Sequence, residues 1–280
     1  MKRITLLTIV LALCVFASCK KDFLGEATVN LKVEQFSLIS EDMGSKASDP
    51  AKRLDVAVYN TATEQIDTVY SQVKSVAVSN FGNMSIKLHA GAYKLIAVGH
   101  QDSTGCTITG PTLVTFNNNA VQDVFAHVED VTVSNSTTQN ILVALDRPVS
   151  LFRVKTTDVT PEGTAAFQFV YSAGGTQLNP TTNLSANNSG RTHAVTIPSN
   201  KIGQTISVKS YIIPNSNPQN INITVSSLNA SNEAVYSHTF NNVSLAPNKQ
   251  VTATGNFFCA DNSSSFTFNT TWADSTGFSF

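Results

Sequence analysis

Cys19 is the residue whose setting most plainly implies chemistry. Ahead of it lie a basic start, Met1-Lys2-Arg3, and a run from Ile4 to Phe16 that is apolar apart from Thr5 and Thr8. Ala17 and Ser18 then place small side chains directly before the thiol. A run of that length is too short to span a bilayer, which takes about 20 apolar residues. It has instead the parts of a secretory signal: a charged n-region, an apolar h-region and small residues at the cut. Cleavage before Cys19 is expected, leaving either an ordinary mature terminus or, if the thiol is acylated, a membrane tether. Each buried CH₂ contributes about 0.8 kcal/mol, and two or more chains hold where one is marginal. Palmitate-type chains on Cys19 would therefore suffice as the membrane contact. Residues 1–18 read as the signal peptide and 19–26 as a lipidated tether.

Other candidates for chemistry are sparse. His89, His100, His127, His193 and His238 stand apart in sequence, without the Cys/His spacing that binds zinc. No Gly-x-Ser-x-Gly elbow, phosphate-cradling glycine loop or dinucleotide fingerprint occurs. The adjacent acidic pairs Glu41-Asp42 and Glu129-Asp130 do not suggest paired acid/base carboxylates. The chain is read as non-catalytic, with no metal and no cofactor. Cys14 lies in the signal, so Cys106 and Cys259 remain. They are either a disulfide of an oxidising compartment or two separate thiols.

Composition narrows the setting. Charged residues make up 13% of the chain, about half the usual share of ~25%. The net charge is −1 with no basic stripe, so nucleic-acid binding has no electrostatic support. Val, Ile, Thr and Phe outweigh the helix-favouring charged residues, which favours strands.

The elements that must carry these residues read as β throughout. Val29, Leu31 and Val33 alternate with Asn30, Lys32 and Glu34, a half-buried strand. From Ile39 to Lys52 the pattern lapses, and Gly44, Ser45, Ser48 and Pro50 mark a loop. There Lys52-Arg53 reads as a solvated pair ahead of the next strand. Alternation resumes at Leu54, Val56 and Val58 and at Met84, Ile86 and Leu88. After a turn at His89-Ala90-Gly91, both faces of Tyr93 to Val98 are apolar, as in a central strand. Val121 to Val133, read as broken in two, and Gln139 to Leu145 follow. Pro148 cannot donate to a central ladder, so a boundary is placed there. Eight further strands are expected between Val149 and Trp272, with turn-rich stretches such as Asn187-Asn188-Ser189-Gly190 between them. The fold class is all-β, with sandwich domains at 27–146 and 147–280.

Phe16-Ala17-Ser18-Cys19 resembles the bacterial lipobox. Arg53 to Asn60, followed by Ile86-Lys87-Leu88-His89-Ala90-Gly91-Ala92-Tyr93-Lys94-Leu95-Ile96-Ala97-Val98, resembles the "L-x-x-G-x-Y-x-L-x-A" hairpin of fimbrillin-like and fimbrial-anchor lipoproteins of the Bacteroides group. Leu145 to Val154 resembles the Arg-bearing strand that opens their second domain. The resemblance implies two transthyretin-like β-sandwich domains in tandem after a lipoprotein signal peptide, held at the outer membrane and exposed at the cell surface. It also implies assembly with other fimbrial subunits by strand complementation, in which a partner's extended segment completes an unpaired sheet. In the related pilins an Arg-specific protease cuts the loop after the first strand, which makes Arg53 a candidate processing site. Without cleavage the chain would be an anchor or accessory subunit in cell adhesion; with it, a stalk or tip pilin. A surface glycan-binding lipoprotein is the rival reading. Such sites use exposed aromatic platforms, for which this chain offers one Trp, Trp272, and six Tyr.

Overall fold

The computed structural model describes residues 25–36, 51–75, 80–101, 105–135, 137–259 and 266–272. Among them there is no α-helix. The strands up to residue 145 are β1 (Ala27–Phe36), β2 (Arg53–Asn60), β3 (Gln65–Val73), β4 (Asn83–Leu88) and β5 (Gly91–His100). They continue as β6 (Cys106–Gly110), β7 (Leu113–Phe116), β8 (Val124–Val133) and β9 (Thr138–Leu145). Beyond lie β10 (Ser150–Thr156), β11 (Ala166–Tyr171), β12 (Gln177–Asn179), β13 (Leu184–Ser185) and β14 (Arg191–Thr196). The last are β15 (Ser207–Ile212), β16 (Gln219–Leu228), β17 (Ala234–Leu245), β18 (Lys249–Gly255) and β19 (Thr267–Trp272).

One arrangement of strands occurs twice. In the first half, β4-β1-β9 faces β3-β2-β5-β8; in the second, β15-β10-β18 faces β14-β11-β16-β17. The directions repeat as well. β1 runs antiparallel to β4 and parallel to β9, while β10 runs antiparallel to β15 and parallel to β18. One addition breaks the symmetry: β19 covers the outer edge of β18, whereas β9 has no further strand beside it among the described residues.

Period-2 alternation explains how each pair closes. Val29 and Leu31 of β1, Ile86 of β4 and Val143 of β9 meet Val56, Leu95 and Phe125 of the facing sheet. In the second pair, Phe152 and Val154 meet Phe167, Phe169, Ile223 and Phe240. Phe152 lies 5.3 Å from Phe240 and 6.5 Å from Phe169 between ring centroids. Fully burying each such side chain contributes about 1.5–3 kcal/mol.

A small sheet, β13-β12-β7-β6, joins strands from either side of residue 146, with Val114 opposite Leu178 and Thr115 opposite Gln177. Beneath it, Ala57, Ile96 and Val98 pack with Ile108, Val114, Leu178 and Ile213. The sheet of β2 and β5 is thus covered on both faces, which is why those strands are apolar on both. β5 is indeed central, between β2 and β8.

Two expectations are corrected. β4 and β5 do not form a hairpin: they belong to opposite sheets, and His89-Ala90 is a corner between layers. Gly91 follows that corner at a φ that is not positive. A Cβ there would come within 3.3 Å of the Tyr93 ring, whose hydroxyl donates to the His89 carbonyl at 3.2 Å. Finally, β8 is a single strand, because its whole length pairs with β5 without interruption.

Candidate functional site

Arg53 and Asp55 project from one face of β2, since side chains two apart in a strand share a face. The same face carries Ala57, so it looks toward the small sheet rather than toward β1. Register supplies the neighbours: Ser71 of β3 lies opposite Asp55, and His100 of β5 lies opposite Arg53. Cys106 arrives as the first residue of β6.

These groups converge on one carboxylate. Arg53 donates from Nε to both Asp55 oxygens, at 3.0 and 2.9 Å, and from Nη2 to the Ser71 hydroxyl at 3.2 Å. Ser71 donates to Asp55 Oδ1. His100 Nε2 lies 3.3 Å from Oδ2, and the Cys106 thiol donates to the same oxygen at 3.6 Å. Asp55 is 1% exposed and His100 2%. Burial opposes ionisation of Asp55, but hydrogen bonds from His100, Arg53 and Ser71 outweigh it and hold the carboxyl well below the usual carboxylate range. Gly105, at φ +87°, permits this packing, because a Cβ there would come within 3.0 Å of the guanidinium carbon.

Asp55, His100 and Cys106 place their ligand atoms within 4.8 Å of one another, a spacing a metal ion could use. The surroundings argue for a closed polar knot instead. Arg53 already brings a cation to the carboxylate. Burial, followed by the Asp55 charge, raises the thiol pKa, whereas a nucleophile must be a thiolate. The thiol also gives its proton to Asp55 rather than to an imidazole base, unlike a nucleophilic Cys–His pair.

The other sequence candidates are dispersed. Arg53 is not the solvated residue expected of it but a partner of a buried carboxylate. Cys19 lies outside the described residues, as does the side chain of Trp272. Neither Cys106 nor Cys259 is in a disulfide. His127 pairs with Glu129 at 3.0 Å, His193 with the Ser210 hydroxyl at 2.9 Å, and His238 with the Phe257 carbonyl at 2.8 Å. His100, read as isolated, is the one drawn into the cluster. The signal for it lay in Leu54-Asp55-Val56-Ala57-Val58. A single charge inside a strand apolar on both faces must find partners.

A family model spanning residues 106–277, from the start of β6 past β19, matches the chain. The chain belongs to DUF6562, a family of unknown function. No curated protein matches the sequence. Several solved structures share the fold of this DUF6562 member. A proposed adhesin from Bacteroides ovatus is 16% identical, covering 76% of this chain and 77% of its own, with a TM-score of 0.50. The fimbrial anchor protein Mfa2 from Porphyromonas gingivalis is 10% identical, covering 88% and 98%, with a TM-score of 0.50. A proposed cell adhesion protein from Parabacteroides distasonis is 10% identical, covering 89% and 99%, also at 0.50. Likeness at these identities concerns the fold alone. No described helix of this DUF6562 chain is long and apolar enough to cross a membrane.

Proposed function

We propose that this protein is a non-catalytic surface lipoprotein of the adhesion and fimbrial type, acting as an anchor or accessory subunit tethered through lipid on Cys19 to the outer membrane. The chain divides into sandwich units at 27–146 and 147–280, linked by the small shared sheet. Support for the division comes from two of the three cores, one drawing only on residues up to Leu145 and the other only on residues from Phe152 onward, while the core beneath the small sheet draws on both.

The observation that carries the anchor reading is the state of Arg53. An Arg-specific protease must draw the guanidinium into its own pocket and an extended backbone into its cleft. Here the guanidinium is engaged by Asp55 and Ser71, and the backbone pairs with Val73 on one side and His100 on the other. β1 is likewise integral, seated between β4 and β9. A folded chain so built keeps its first strand and its tether. Partner subunits add strands at open sheet edges, for which β9 is the candidate, its counterpart β18 being already covered by β19.

Mass analysis of the protein extracted from its cells tests this reading. A mature terminus at acylated Cys19 is expected, with co-purification of surface filaments. A terminus at Leu54 would identify a polymerising pilin processed after Arg53 and sink the anchor role.

A further inference from the structure

Arg191 begins β14 and is 9% exposed. Its one hydrogen bond among the described residues runs from Nη1 to the carbonyl of Tyr211. No carboxylate of the described residues stands against it; the titratable groups it acts with are Tyr171, directly opposite it in the β11–β14 register, and His193. A guanidinium has five N–H donors, so most of this one's capacity is unused inside the protein. Leaving a cation buried without a counter-ion costs several kcal/mol. Such an arrangement calls for an external acceptor.

The space for one is adjacent. Arg191 lines a cavity of about 450 Å³, within the range of small-ligand sites. The wall is polar: Thr176, Ser189, Thr192 and His193 come from the second half of the chain, and Asn118 and Gln122 from the segment before β8. Burial, and then the Arg191 charge, lower His193 to about 4. At neutral pH it is therefore an uncharged hydrogen-bonding ring, and Arg191 is the cationic group of the wall.

The rim is held in shape by the asparagines of the turn-rich stretch. Asn187 accepts from the backbone N–H groups of Thr176 and Gln177 at 3.1 and 3.2 Å, and Asn188 from that of Gly174 at 2.9 Å. Gly190, at φ +67°, turns the chain into β14, and a Cβ there would fall 2.3 Å from the Tyr171 carbonyl oxygen.

We infer that this cavity binds a carboxylated saccharide, its carboxylate on Arg191 and its hydroxyls on the surrounding Thr, Ser, Asn and Gln side chains. The charge class follows from a guanidinium with no carboxylate against it among the described residues, which matches a carboxylate in a two-pronged geometry. The polyhydroxyl class follows from a wall of hydroxyls and amides in place of an apolar lining. The site is independent of the anchor reading and lies apart from the Asp55 cluster.

The test is titration of the full-length protein with a glucuronate-containing disaccharide, a neutral glucose disaccharide and acetate, read by calorimetry. Saturable binding of the acidic disaccharide is expected, weakened about tenfold or more in Arg191→Gln, the effect of losing a charge-assisted pair. Gln122→Leu, on an exposed wall residue, is expected to weaken binding as well while leaving the core untouched, which keeps the test valid if Arg191→Gln fails to fold. Equal affinity for the neutral disaccharide would overturn the proposal. Absence of any binding of the acidic one up to about 10 mM, or unchanged binding in both variants, would also do so. Acetate binding alone would assign the cavity to simple anions and overturn the saccharide claim.

Discussion

Arg53 and Asp55 stand two residues apart on β2 and are joined side chain to side chain, with the Arg53 Nε within 3.0 Å of both Asp55 oxygens. The link ties the first residue of a central strand to a buried charge. Native protein is therefore expected to resist an Arg-specific protease at Arg53, while urea-unfolded protein is cut there readily. Asp55→Asn should raise native cleavage by freeing the guanidinium. Terminal sequencing of the fragments measures both, and rapid cleavage of native wild type at Arg53 would contradict the clamp.

Acid should weaken the fold through the same pair. The Asp55 pKa is depressed in the folded state from a reference value of 3.8, so the unfolded chain binds the proton more tightly. The stabilisation is present above that value and is lost as pH falls below it. His193 adds an earlier loss. Its folded pKa of about 4 lies below the ordinary 6.5, so stability declines as pH falls from 6.5 toward 4 and levels off beneath. Asp55→Asn should cost about 3 kcal/mol at neutral pH, the lower end for breaking a buried pair, because the Arg53 side chain is 23% exposed. It should also flatten the most acidic limb of a plot of Tm against pH.

Arg147 is a strut where the halves of the chain meet. It donates to Asp123 from Nε at 2.7 Å and from Nη2 at 2.9 Å, and to Asn248 from Nη1 at 3.2 Å. Its guanidinium carbon lies 4.7 Å from the Phe125 ring centroid. Arg147→Ala should cost about 3–5 kcal/mol by stranding Asp123, whereas a double change to Arg147→Met and Asp123→Leu should cost markedly less. Denaturant unfolding of the three proteins checks the order.

Cys106 and Cys259 should differ in reactivity. Burial and the Asp55 charge keep Cys106 protonated, and the thiolate is the reactive form. In a soluble form beginning at Lys20, Cys259 is expected to react with iodoacetamide well before Cys106. Mass mapping of the labelled peptides decides it.

Much of the sheet architecture was legible in the residues, because period-2 alternation marks strands with one buried face. Val29 to Val33, Leu54 to Val58 and Gln139 to Leu145 all lie in strands where that pattern places them. The misses have physical causes. β3 is an edge strand whose inward residues are only half-buried, so Gln65-Ile66-Asp67-Thr68 carries little apolar contrast. β12 and β13 span three and two residues, too short for any period to register. Layer assignment was hidden as well: Leu88 and Gly91 look like the two sides of a hairpin, yet the chain crosses between sheets there. The Asp55 cluster escaped because its members come from β2, β3, β5 and β6 and meet only through register. Arg191 escaped for the opposite reason, since nothing in Gly190-Arg191-Thr192 shows that a charge will be buried there.

The pairing of β1 with β9 governs the order in which the molecule can fold. Asn30 and Asn140 meet across 110 residues of sequence, and loop closure over such a span is slow. β4 and the facing sheet can cover the apolar stripe of Val29, Leu31 and Val33 as they follow it in an amino-terminus-first chain. The parallel edge of β1 closes only when β9 arrives, so the earliest described strand is among the last to gain both its neighbours.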